Sequence, residues 1–485
     1  MGAAKTVVIV SLAFVLLASS LRAASTGQPS DLSQLRQAAE QGDADAQANL
    51  GVLYFTGRDV EQDDELAVLW FRRAAEQGHA GAQFAVGVLY AEGRGAERDD
   101  ELAALWSRRA AEQGHADAQR NLGVMYANGR GVERDDELAV SWFRRAAEQG
   151  HADAQDNLGV SYINGRGVER DDELAVSWFR RAAEQGHADA QDNLGISYMN
   201  GRGVERDDEL AVSWFRRAAE QGHAGGQNNL GVMYDNGRGV GQDAEIAVLW
   251  FRRAAEQGYA VAQDNLGLSY LNGSGVERDV ELAVTWFRRA AEQGHTGAQN
   301  NLGVMYANGR GVERDDELAV SWYRRAAEQG YAVAQTNLGA MYANGTGAER
   351  DDELAVSWFR RAAEQGYVEA QNNLGFMYAN GRGVERDDEL AVSWYRRAAD
   401  QGHATAQQNV DNLRATDRGT GPGAGALNRG DIRVSEGDVV SRPRGCDRDA
   451  GCDGTLNGVE GRSPVAVKLY VARPAISGSR PPGHA

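Results

Sequence analysis

Seven of the eight histidines, His79, His115, His151, His187, His223, His295 and His403, recur at one position of a repeating pattern and are the first candidates for metal chemistry. A zinc ion draws its ligands to about 2 Å, whereas equivalent positions on stacked helices lie at least ~10 Å apart, so these imidazoles do not converge on one ion. Tyr259, Tyr331 and Tyr367 fill the same slot, which reads as a turn-packing position. The Asp-Asp-Glu runs, such as Asp135–Glu137 and Asp171–Glu173, set carboxylates side by side as calcium loops and acid–base pairs do. They lack the alternating DxDxDG ligand spacing, and they stand where a helix N-terminus needs a cap and negative charge. The Gly-Arg-Gly loops follow no strand and precede no GK[ST], which excludes a phosphate cradle. Ser141, Ser177, Ser213, Ser321, Ser357 and Ser393 simply recur, so a nucleophile among them would have no distinct base. No catalytic residue, metal site or cofactor is expected.

The elements that position these residues follow from a 36-residue period. Trp70, Trp106, Trp142, Trp178, Trp214, Trp250, Trp286, Trp322, Trp358 and Trp394 are 36 residues apart throughout. In the unit from Ala116 to His151, a first helix (helix A) runs roughly from Ala116 to Asn128 with Ala118, Leu122, Met125 and Tyr126 on one face, and Gly129 stops it. After the loop GRGVERD, Asp135 caps a second helix (helix B) that runs to about Gln149. Its apolar stripe is Leu138, Ala139, Trp142, Phe143, Ala146 and Ala147, with Arg144, Arg145 and Glu148 on the wet flank. A residue repeated in every unit serves architecture, so function belongs in departures from the consensus. The period predicts one array of stacked helix pairs with its ends, an all-α solenoid.

Composition narrows the partners. The hydrophobic fraction of 42% and charged fraction of 25% are those of a folded protein. Of the net charge of −19, residues 1–30 carry +2 and residues 415–485 carry +2 (10 basic against 8 acidic), leaving −23 on 31–414. An acidic array repels phosphate backbones, so nucleic acid is excluded and a protein or peptide is the expected partner, its identity unknown.

At the N-terminus, Lys5, the apolar run Val7–Leu17 and the small residues up to Ser25 read as a signal peptide over 1–25, with an uncleaved anchor as the alternative. Export to the periplasm or exterior, or to a eukaryotic lumen, is therefore expected, with no integral span once the segment is cleaved. Residues 31–43 match the second half of the repeat and read as an N-terminal capping helix; ten full units occupy 44–403; and 404–414 match the first half, a C-terminal cap. Residues 415–485 hold six of the seven prolines and read as a mostly disordered tail. Its Cys446 and Cys452 either close a small disulfide loop after export or remain two thiols. Asn272 and Asn344 begin sequons that matter only in a eukaryotic secretory lumen.

The pattern carried by Leu122-Gly123, Tyr126, Asn128-Gly129, Gly131-Val132, Asp135, Ala139, Trp142, Ala146-Ala147 and Gly150 resembles the Sel1-like repeat, a relative of the tetratricopeptide repeat. The resemblance spans about 360 of 485 residues. It implies a right-handed superhelix of ten antiparallel helix pairs with half-repeat caps, and a scaffold or adaptor in an exported setting. A cysteine-rich branch of that family is linked to β-lactam binding, which makes a β-lactamase-like or cell-wall hydrolase the alternative. That branch carries a cysteine pair in each repeat, and 42–414 contains no cysteine.

Two variable columns on helix A, seven residues apart, are the expected partner-binding face. The first includes Arg120, Asp156, Asp192, Asn228 and Asp264; the second includes Ile163, Met199, Asp235 and Leu271. They are expected to line a groove for an extended segment or a partner helix, the alternative being packing against neighbouring A helices.

Overall fold

The computed structural model describes residues 30–417, which form 22 α-helices and no strand. The segment read as a signal peptide, the tail and both cysteines lie outside the described residues. The chain divides into two compact units, with the division between Asp207 and Asp208.

The first unit opens with the helix Ser30–Glu40, whose Ala39 packs with Ala46, Leu50 and Trp70 of the first repeat. Four A/B pairs follow: Ala44–Thr56 with Asp64–Glu76, Ala80–Glu92 with Asp100–Glu112, Ala116–Asn128 with Asp136–Glu148, and Ala152–Asn164 with Asp172–Glu184. The A helix Ala188–Asn200 ends this unit. The second unit begins with the B helix Asp208–Glu220 and continues through five pairs, from Ala224–Asn236 with Ala244–Glu256 to Val368–Asn380 with Asp388–Asp400. The helix Ala404–Asp417 ends it. Within each unit every helix packs on its sequence neighbours, the arrangement of an α/α solenoid.

Local chemistry sets each helix. B helices start on an aspartate whose carboxylate accepts the N–H of the residue three ahead, as Asp135 does from Leu138 at 2.9 Å. The A helix Ala116–Asn128 ends on Gly129 in the left-handed region, φ 65°. Two residues on, Gly131 (φ 67°) passes over the preceding B helix so closely that a Cβ would lie 1.8 Å from the Asp100 carbonyl oxygen. Inside helix A, Gly123 faces the Phe143 ring, where a Cβ would stand 2.6 Å from ring carbons. Glycine there lets helices A and B approach, and the buried Phe143, Ala146 and Ala147 fill the seam.

Polar ladders tie repeats together. From Gln47 to Gln371, a buried glutamine on each A helix donates to an alanine carbonyl at the end of the preceding B helix, at 2.9–3.3 Å. Its own Oε1 accepts from the glutamine that ends the following B helix, as Gln119 does from Gln149 at 2.7 Å. At the loop edge, Arg94, Arg130, Arg166 and Arg202 in the first unit, and Arg238 and Arg382 in the second, bind the aspartate thirty residues earlier at 2.6–3.2 Å.

The outer flank of helix B differs from the simple charge pairing its sequence suggests. Arg145 stacks over Trp142 at 4.4 Å, and Arg144 donates to the Tyr162 hydroxyl at 2.9 Å instead of pairing with Glu148. Every tryptophan carries such an arginine, at 4.4–4.7 Å.

Candidate functional site

The histidine slot is a joint between repeats. In the neutral tautomer its Nδ1 accepts the N–H that opens the next A helix, at 2.9 Å for His79 and 3.2 Å for His187. Its Nε2 meets a carboxylate on the preceding A helix: Asp45 for His79 (3.3 Å), Asp117 for His151 (3.2 Å), Asp153 for His187 (3.0 Å) and Glu369 for His403 (3.1 Å). Tyr259, Tyr331 and Tyr367 make no side-chain cap, and the residues 34 positions before them are Gly225, Gly297 and Val333. The slot thus holds a His–carboxylate pair in these four joints, while His115 stacks on Phe84 at 5.0 Å between ring centroids. Among the described residues, no group of three or more metal-ligating side chains exists.

The two columns expected to line a groove are placed differently. Arg120, Asp156, Asp192, Asn228 and Asp264 are buried, as are Ile163 and Leu271; Met199 and Asp235 are half-buried. The first column points between successive A helices, where Asp156, Asn228 and Asp264 each accept a hydrogen bond from an asparagine 37 residues later. Asn193 donates to Asp156 at 2.9 Å, Asn265 to Asn228 at 2.9 Å, and Asn301 to Asp264 at 3.0 Å. The buried members are therefore inter-repeat packing, the alternative reading of these columns. The reason is angular: on a helix of 3.6 residues per turn, one position further along rotates a side chain by ~100°, from the seam to the open face.

That open face starts one turn earlier and runs through Asp117, Asn121 and Val124, and again through Asp153, Asn157 and Val160, all half-exposed in the first unit. In the second unit the matching Asn265, Leu268, Asn301, Val304, Asn337 and Ala340 are buried, while Asn229, Val232, Asn373 and Phe376 are half-exposed. The recurring asparagine was passed over in the sequence because it repeats; its value lies in where the inner face stays open. The Asn157 Nδ2 and the Arg120 Nε find no hydrogen-bond partner among the described residues.

Charge on this face is set by the joints. Burial alone would raise Asp117 and Asp153, yet the hydrogen bonds from His151 and His187 hold both carboxyls below the usual range. Asp156, sealed in the seam behind them, is pushed up to about 6 by burial.

The Sel1 repeat profile matches ten consecutive segments: 44–79, 80–115, 116–151, 152–187, 188–223, 224–259, 260–295, 296–331, 332–367 and 368–403. Among solved structures, the protective antigen c5321 of uropathogenic Escherichia coli, described as displaying an SLR fold, is 42% identical over 80% of this chain and 83% of that one, with a TM-score of 0.62. A Sel1 repeat protein from Oxalobacter formigenes is 38% identical over 67% of this chain and 92% of that one, with a TM-score of 0.49. No curated protein matches. With ten matched units on an α/α solenoid, the chain belongs to the Sel1 repeat family.

Proposed function

We propose that the chain is an exported, non-enzymatic scaffold that holds an extended segment of a partner protein against the open inner face of its third and fourth repeats. The carrying observation is that face itself, where Asn121 and Asn157 stand half-exposed between Val124, Val160, Asp117 and Asp153. Asparagine amides offer a donor and an acceptor to a peptide backbone. Mediation of protein–protein contacts is general in the Sel1 family, and the apolar start of the sequence supports export.

The test is capture of partners by the purified mature chain, read by mass spectrometry, beside the double variant Val124→Glu/Val160→Glu. Loss of the captured set with an unchanged melting curve supports the reading; an unchanged set overturns it. Turnover of nitrocefin above a heat-denatured control would overturn the non-enzymatic part.

A further inference from the structure

A cluster of charged groups meets in the seam between the fourth and fifth repeats. His187 opens the fifth A helix, with Nδ1 accepting from the Ala190 N–H at 3.2 Å and Nε2 3.0 Å from Asp153 Oδ1. Asp153 is approached from the other side by Arg120, whose Nη2 lies 3.8 Å from Oδ2. One turn further along the fourth A helix, Asp156 is 8% exposed and accepts from Asn193 at 2.9 Å. Its ionisable neighbours are Asp153 on its own helix and His187 and Asp189 on the next repeat. His151, at the start of the fourth A helix, acts on Asp153. The flanking B helices bury only apolar side chains, Ala139, Val140, Trp142, Phe143, Ala146 and Ala147 in one and Ala175, Val176, Trp178, Phe179, Ala182 and Ala183 in the other, so no cation there offsets Asp156.

We propose that this seam is an acid-tightened joint, closed when the Asp156 carboxyl is protonated and loosened when Asp156 ionises. The same hydrogen bond is made without any charge by Asn228 with Asn265 and by Asn300 with Asn337, so an aspartate adds nothing to the packing except a titrating group.

The sign follows from the directions. Asp156 is raised by burial from 3.8 to about 6, so its contribution is complete below 3.8 and lost as pH rises through about 6. Burial lowers His187, but the Asp153 hydrogen bond and the charges of Asp156, Asp153 and Asp189 lift it above 6.5 overall, which again is stability lost on raising pH. Asp153 runs the other way: despite burial, the His187 hydrogen bond and the Arg120 charge hold it below 3.8, so its contribution fails only in stronger acid. The joint is therefore tightest near pH 3.8 and loosens as pH rises through about 6.

The test is hydrogen exchange of the full chain at pH 5 and pH 8, corrected for intrinsic rates, read on peptides from 152–164 and 188–200, with 332–344 as the internal reference. Protection of the wild-type seam relative to the reference should fall about tenfold or more between the two conditions, and by less than about threefold in Asp156→Asn. Asn already serves this position in other repeats, so the variant keeps the hydrogen bond. Equal wild-type protection at both pH values overturns the proposal, as does an Asp156→Asn seam that still loosens tenfold.

Discussion

Gln119 shows how much a single polar residue contributes to joining repeats. It donates to the Ala111 carbonyl at 3.0 Å and accepts from Gln149 at 2.7 Å, so it closes one B helix end and holds the next. Replacing it with leucine keeps the volume and leaves the Ala111 carbonyl without its amide. Gln119→Leu should cost about 2–3 kcal/mol in urea unfolding, from two lost hydrogen bonds and a desolvated acceptor. Arg145, 4.4 Å over the Trp142 ring, lies on an exposed flank. Arg145→Ala should cost only about 0.5–1 kcal/mol, as exposed cation–π contacts do. If the arginine change proves the larger, the outer flank carries more of the stability than the inner ladder.

At the scale of elements, the loops decide how closely one helix pair follows another. Gly131 and Gly150 both have positive φ, 67° and 92°. A Cβ on Gly131 would lie 1.8 Å from the Asp100 carbonyl oxygen, whereas Gly150 has nothing within 4 Å. Gly150→Ala therefore meets only backbone strain of about 1–2 kcal/mol, while Gly131→Ala must also displace the preceding B helix and should exceed ~3 kcal/mol. Thermal unfolding of the two variants checks this ordering. The loop arginines supply a gain-of-function prediction. Val280 stands where other B helices carry the staple aspartate, and Arg310, thirty residues on, makes no ion pair among the described residues. Val280→Asp should stabilise the second unit by about 0.5 kcal/mol, and a cycle with Arg310→Ala should show the pair is the cause. No coupling in that cycle would mean that the loop-edge ion pairs only decorate a geometry fixed by glycine.

Across the whole molecule, stability is a sum of neighbour contacts. Trp178, 9% exposed, packs within the first unit, and its loss removes a large apolar side chain at a seam. Trp178→Ala should cost about 3–5 kcal/mol, read locally as faster hydrogen exchange in 152–207 with no change in 296–400. Uniform loss of protection along the chain would contradict nearest-neighbour stacking.

The period of 36 and the glycine, alanine, tryptophan and aspartate pattern were enough to identify the family and the α/α solenoid, because each helix is specified locally, by its cap and apolar stripe, in ten copies. The same repetition hid the site. Arg120, Asp156 and Ile163 look like variable surface positions of their A helices, yet they are buried, and only the packing of one repeat on the next shows it. The histidines looked like filler in a turn, and tertiary contact made His79, His151, His187 and His403 joints, since each of these meets a carboxylate 34 residues earlier. A helical period defines faces on an isolated helix; which of those faces water still reaches depends on the angle at which the neighbours stack, and that angle is set by contacts the period does not encode.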